Sequence, residues 1–151
     1  MIFNKTSRII LISIVIFLLS LTQNCVTYQY FGTVEYSSFL AFLFGWLHFG
    51  GGGFYEGCIW LANPLYFIGL FLLYKNKKSI SFFLLFISSI VALSFLGFEN
   101  LTMTKSGRTA PIMELNAGYF LWLIAILSAA FFSIYLKIKN FEIETINRNG
   151  L

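Results

Sequence analysis

Aspartate is missing from this chain of 151 residues, and all six of its acidic residues are glutamate. Charged residues of both signs make up only 11% of it, where a soluble domain carries about a quarter. A water-soluble fold is therefore excluded as the working expectation. The chain has one histidine, His48, and two cysteines, Cys25 and Cys58. No Cys-x-x-Cys pair and no Cys/His cluster at zinc spacing occurs, so no metal site and no vicinal dithiol chemistry is expected. The glycines Gly50–Gly53 are not followed by Lys-Ser/Thr, which removes a phosphate-binding loop. They suit a sharp backbone turn instead.

What is present is apolar. Hydrophobic residues reach 58%, with 19 Phe, 8 Tyr and 3 Trp. The net charge is +4, yet the basic residues flank apolar runs. They form no basic face with interleaved aromatics, so nucleic acid is not an expected partner. The lipid bilayer is. The runs are Ile9–Thr22, Cys58–Tyr74, Ile80–Phe98 and Ala117–Leu136. They predict one transmembrane domain over 1–151, an all-α bundle of four helices with spans at about 7–24, 57–74, 79–98 and 117–137. The first run starts after Lys5 and Arg8 like a signal sequence, but no small-residue cleavage box follows. It is read as an uncleaved anchor, extended by residues on both sides.

Phe39–Phe49 is apolar but only 11 residues long. Basic residues concentrate on the cytoplasmic side of membrane proteins. Four spans put Lys5, Arg8, Lys75, Lys77, Lys78, Lys137, Lys139 and Arg148 on one side, which is eight of the ten basic residues. A fifth span would split them. The N- and C-termini are therefore expected in the cytoplasm, and segment 39–56 is expected to be interfacial or re-entrant on the outer side. Gln23–Ser38 and Glu99–Leu115 are read as outer loops, the first with short extended structure near Val26–Val34. Lys137–Leu151 is read as a polar tail.

Pro64 lacks an N–H and so frees the carbonyl of Trp60. Asn63 beside it is placed to satisfy that broken turn or a neighbouring helix, and a kink is expected there. Ser81, Ser88 and Ala92, and Gly118, Ala125, Ala129 and Ser133, recur at helical spacing as close-packing faces. Tyr119 and Trp122 suit the outer interface. His48 and Glu56 flank the glycine run. They read either as a proton-handling pair or as ordinary polar rims of a wet interface. Asn63 and Pro64 read either as a polar notch or as a structural kink. Cys25 and Cys58 fall on the same, oxidising side, where a disulfide between them is allowed. No catalytic residue and no cofactor is assigned.

Four patches occur in order: Leu19-Ser20-Leu21-Thr22-Gln23, Gly45-Trp46, Trp60-Leu61-Ala62-Asn63-Pro64-Leu65 and Gly118-Tyr119-Phe120-Leu121-Trp122-Leu123. On these patches, over roughly residues 15–135, the chain resembles a group of small uncharacterised bacterial inner-membrane proteins. The resemblance implies a bacterial cytoplasmic membrane and a four-span topology, and no chemistry. Packing faces without catalytic clusters point to a non-enzymatic accessory or interaction subunit of a membrane assembly. A small homo-oligomeric transporter or pore, gated by segment 39–57, is the second reading. A membrane thiol-redox enzyme using Cys25 and Cys58 is the third.

Overall fold

The computed structural model describes residues 5–149, with side chains placed for residues 6–139. The polar start Met1–Asn4 and the last two residues, Gly150 and Leu151, lie outside them, as do the side chains of Lys5 and Arg148. The chain runs through helix α1 (Lys5–Leu21), strands β1 (Asn24–Gln29) and β2 (Thr33–Ser37), and short helices α2 (Ser38–Phe44), α3 (His48–Gly51) and α4 (Phe54–Trp60). Helices α5 (Ala62–Tyr74) and α6 (Lys78–Ser94) follow, then strands β3 (Asn100–Thr102) and β4 (Thr109–Leu115), and helix α7 (Ala117–Asn149).

Helices α1, α5, α6 and α7 pack as an up-down-up-down bundle in which α1 lies on α7, α7 on α6, and α6 on α5. Three helical stretches, Phe54–Tyr74, Lys78–Gly97 and Ala117–Lys139, are long and apolar enough to cross a membrane. Helix α1 is shorter. It stops at Leu21, not near residue 24, because Asn24 already pairs with Ser37 across the first hairpin. The polar tail is helical as well: α7 continues to Asn149.

The bundle is built inside out relative to a soluble core. Ser13, Ser20, Ser81, Ser88 and Ser133 are buried, while Phe71, Phe83 and Phe131 are 58%, 62% and 68% exposed. The hydroxyls of Ser13, Ser81 and Ser88 staple helices together, while Ser20 Oγ bonds back to Phe17 within α1 and Ser133 Oγ has no partner among the described residues. Ser81 Oγ donates to the Gly69 carbonyl and Ser88 Oγ to the Ala62 carbonyl, each at 2.8 Å. Ser13 Oγ donates to the Ala125 carbonyl at 2.8 Å and lies 2.7 Å from the Tyr66 hydroxyl. The small residues Ala92, Ala125 and Ala129 are equally enclosed, so helix axes approach closely, as membrane helices do on small-residue faces.

The expectation of an all-α fold holds only in part: the chain is mostly helical, but it also forms a four-stranded antiparallel sheet of order β2-β1-β4-β3. Each of the two connecting loops folds into a hairpin. The first turns through Tyr30–Gly32, where Phe31 has φ 50° and the Tyr30 N–H donates to the Gly32 carbonyl at 2.8 Å. The second turns through 103–108, where Gly107 has φ 80°. Pairing of Val26 with Leu115 and Tyr28 with Ile112 joins the two hairpins. An isolated hairpin is marginal, whereas a larger sheet with one apolar face packed on helices is stable. Val26, Leu101 and Ala110 supply that buried face.

Between β2 and α5 the chain makes a helical elbow. Trp60 Nε1 donates to the Phe42 carbonyl at 2.7 Å and so clamps α4 to α2. Gly45 ends α2 where any Cβ would run into the Trp60 ring. Gly52, at φ 93°, supplies the left-handed turn before α4. Phe39, Leu43, Phe44, Trp46 and Leu47 point outward from the elbow, each 41–51% exposed.

Candidate functional site

The sheet end of the bundle forms a half-open cavity of about 300 Å³. Its floor is formed by Phe17, Asn63, Tyr119 and Trp122 from the bundle, its roof by Val26, Tyr36 and Leu101 from the sheet, and one wall by Ala41, Phe42, Gly45 and Trp60 from the elbow. Each of the four sequence patches quoted above contributes: Ser20 and Leu21 from the first, Gly45 from the second, Trp60 and Asn63 from the third, Gly118 and Tyr119 from the fourth.

Asn63 is the hub of the floor. The chain turns at Leu61, between α4 and α5, and Pro64 removes the N–H that would have served the Trp60 carbonyl. Asn63 Nδ2 donates to that carbonyl at 3.1 Å. Its Oδ1 accepts from Trp122 Nε1 on α7 at 2.8 Å. One side chain therefore repairs the broken turn and ties it to the neighbouring helix. Pro64 shapes the turn and does not itself line the cavity.

Tyr119 and Trp122 do not act as interface anchors. They turn inward, and Tyr119 is 3% exposed. The Tyr119 hydroxyl donates to the Ala92 carbonyl at 3.0 Å. This inward turn needs Gly118. A Cβ there would collide with Ser38 Oγ and lie 2.6 Å from the Asn24 carbonyl oxygen, so α7 approaches β1 and α2 only with glycine at that position.

His48 and Glu56 both reach the cavity wall. They converge over Gly53: His48 Nδ1 and Glu56 Oε2 lie 2.9 and 2.8 Å from where a Cβ on Gly53 would sit. The other carboxylate oxygen, Oε1, accepts the Thr102 N–H at 2.7 Å. Glu56 thus latches α4 to β3, the edge strand of the roof.

Cys25 and Cys58 carry free thiols. The disulfide that a shared side allows is not formed. Cys25 sits in β1 and lines the cavity, while Cys58 is on α4 and does not line it. Cys25 Sγ donates to the Tyr36 carbonyl at 3.3 Å. Burial pushes its thiol from the ordinary 9.0 up to about 11, against the smaller opposing pull of Ser38 and nearby backbone amides. A thiol held protonated in this way is a poor nucleophile.

Ser38 carries a signal that the sequence hid. It is 7% exposed, lines the cavity and lies beside the Cys25 sulfur, yet its Oγ finds no hydrogen-bond partner of acceptable geometry. As the first residue of α2 it reads from sequence as an ordinary helix start. Only the fold turns it inward, against Gly118. Among the described residues no group of three or more His, Cys, Asp or Glu is placed to hold a metal ion.

No protein-family profile matches the chain, and no curated protein or solved structure matches it either.

Proposed function

We propose that this chain is a four-span protein of the bacterial cytoplasmic membrane, and that it serves a membrane assembly as a non-enzymatic subunit which binds a small molecule under its sheet. The cavity carries the reading. It is lined by bundle, elbow and sheet together, its wall is mostly aromatic and aliphatic with a few placed polar groups, and its volume falls at the lower end of the range for ligand pockets.

The membrane placement rests on the inverted distribution of side chains. Hydroxyls inside and phenylalanines outside suit a lipid solvent, where apolar exposure costs nothing and helices associate through packing and hydrogen bonds. At ~1.5 Å per residue, the 17 residues of α1 reach a few ångströms short of a ~30 Å hydrocarbon core. Local thinning of the bilayer accommodates such a mismatch. Lys75, Lys77, Lys78, Lys137 and Lys139 lie at the end of the bundle opposite the sheet, which supports an orientation with the sheet outside and both termini in the cytoplasm. The outward-facing aromatics of the elbow then sit at headgroup depth.

A pore through a single chain has less support, because Phe17, Tyr66, Leu85 and Ile126, each 0–2% exposed, fill the middle of the bundle. Thiol chemistry has less still, with the Cys25 thiol held protonated. Mass spectrometry of the protein released from mild detergent tests the reading. A retained small molecule is expected in the wild type and not in Ala41→Phe, which fills the cavity. Equal, unliganded masses for both proteins would defeat it.

A further inference from the structure

We infer that the cavity takes an uncharged, mainly apolar molecule carrying one hydroxyl or carbonyl group, and that Ser38 reads that group. The inference deepens the binding function proposed above and rests on it.

Charge comes first. Among the described residues no lysine or arginine lines the cavity. A phosphate or carboxylate drawn into it would give up water without a cation to replace it, which is unfavourable. The one acid on the wall, Glu56, would repel such a group further. The one base, His48, has its Nδ1 near the Glu56 Oε2 over Gly53. A cationic ligand would find a single acid, Glu56, one of whose oxygens already accepts the Thr102 N–H while the other shares the space over Gly53 with His48. The body of the ligand therefore meets rings and aliphatic groups, and its polar part is neutral.

The hydrogen-bond account places that polar part. The enclosed polar atoms around the cavity are mostly committed, while Tyr28, Tyr36, His48, Glu56 and Thr102 are half-buried and none of them has a buried polar atom left unpaired. Asn63 is engaged at both ends of its amide. Trp60 Nε1 serves Phe42, the Tyr119 hydroxyl serves Ala92, Ser20 Oγ serves the Phe17 carbonyl, and the Cys25 thiol serves Tyr36. Among the described residues, Ser38 Oγ is the one buried side-chain polar atom on the wall without a hydrogen bond of acceptable geometry; the Cys25 sulfur beside it is a weak acceptor whose own hydrogen goes to Tyr36. Leaving a buried hydroxyl unsatisfied is destabilising, and alanine would avoid that cost at about the same volume. Ser133 Oγ is likewise unpartnered among the described residues but does not line the cavity; at Ser38, on the cavity wall, a ligand group can supply the missing bond. A hydroxyl can donate and accept, so a ligand hydroxyl or carbonyl serves equally. Size completes the description. At ~30 Å³ per water-sized unit, the cavity holds a chain or ring system of about ten heavy atoms.

The test uses the full chain in liposomes and a 1-decanol analogue bearing a diazirine on its chain. Photolabelling is expected on cavity residues of the elbow and β1, and it is lost in Ala41→Phe. Unlabelled 1-decanol is expected to compete at least ~tenfold better than decanoate, decylamine or decane, a discrimination one hydrogen bond can supply. In Ser38→Ala the advantage of decanol over decane disappears, while the variant melts at or above the wild-type temperature because an unsatisfied hydroxyl has gone. Competition by decanoate or decylamine as strong as by decanol would overturn the neutral-ligand inference. A Ser38→Ala protein that still prefers decanol to decane would overturn the role of Ser38. No labelling of the cavity by the probe would instead sink the binding function itself.

Discussion

Removing the Asn63 side chain is the sharpest perturbation available, because two helices depend on one amide. In Asn63→Ala the Trp60 carbonyl loses the donor that substitutes for the missing N–H of Pro64, and Trp122 Nε1 loses its acceptor. Asn63 is 6% exposed, so water does not readily take over. Each orphaned group costs about 1–3 kcal/mol by soluble-protein experience, and hydrogen bonds between membrane helices measure about 0.6–2 kcal/mol. A loss of about 2–4 kcal/mol follows. The cause is separable by a second change. Pro64→Ala restores an N–H four residues after the Trp60 carbonyl, so the side-chain donor becomes redundant there. The double variant should therefore lose about 1–2 kcal/mol less than the sum of its single changes predicts, a coupling well above the ~0.5 kcal/mol scatter of independent sites. Unfolding in mixed detergent micelles, followed by tryptophan fluorescence, reads all four corners of the cycle. Additive effects would refute the account of the turn, and a loss below about 1 kcal/mol for Asn63→Ala would refute the account of the hub.

Three further outcomes are expected. Ala129→Leu, at a site 1% exposed on the bundle face of α7, should destabilise by about 1–3 kcal/mol through overpacking, more than Leu127→Ala, whose half-buried side chain only flanks the core; equal melting in detergent would count against that face. The raised Cys25 pKa means that the native state holds a proton the unfolded chain gives up, so its contribution is intact below pH 9 and is lost as pH rises towards about 11. Wild type should then fall relative to Cys25→Ala by about 1.4 kcal/mol per pH unit across that window, and parallel curves would defeat the assignment. A cysteine at Asn76, between α5 and α6, should resist impermeant maleimide added to intact cells; labelling from outside would reverse the orientation.

The helices were legible because a bundle helix announces itself locally, in a long apolar run bounded by charge. Lys75–Lys78 marked the α5–α6 turn for the same reason, and Asn76 there adopts φ 59°. The Pro64 break was legible because its cause is local too: a missing N–H affects a carbonyl four residues away. The sheet was not legible as a sheet. The alternation in β1 and β2 and the Tyr-Phe-Gly turn between them are a fair hairpin signal. But β3 has three residues, and Pro111 reads as a loop marker. The structure accommodates that proline beyond Ile112, the last β4 residue paired to β1. The Ile112 N–H serves Glu99 on the β3 side, so the N–H that Pro111 lacks would point to the other side, which is tolerated at the margin of a sheet. The pairing of Val26 with Leu115 joins segments almost ninety residues apart, and no local pattern announces such a partner. His48, Glu56 and Asn63 were legible as polar residues in apolar surroundings. Tyr119 and Trp122 were misread because the sequence shows an aromatic at a helix end but not which way it turns.

The long-range pairing also explains why the cavity and the bundle cannot be separated. Each hairpin hangs from different helices: β1 and β2 follow α1, whereas β3 and β4 link α6 to α7. The roof closes only when β1 meets β4, and β1 meets β4 only when α1 lies on α7. Asn116 fixes that junction, its N–H donating to the Cys25 carbonyl at 2.9 Å and its side-chain amide to Thr27 Oγ1 at 2.8 Å. Glu56 then ties the elbow to the far edge through Thr102. A shift of α1 along α7 would pull Cys25 and Ser38 away from Gly118 and open the cavity between β1 and the elbow. On this architecture, separating α1 from α7 would also loosen the roof, so a molecule bound beneath the sheet would favour the packed arrangement of the helices. By linkage, a partner that holds α1 against α7 tightens ligand binding, and a partner that separates them releases the ligand. On the function proposed above, that coupling would let the chain report a bound molecule to a neighbouring subunit.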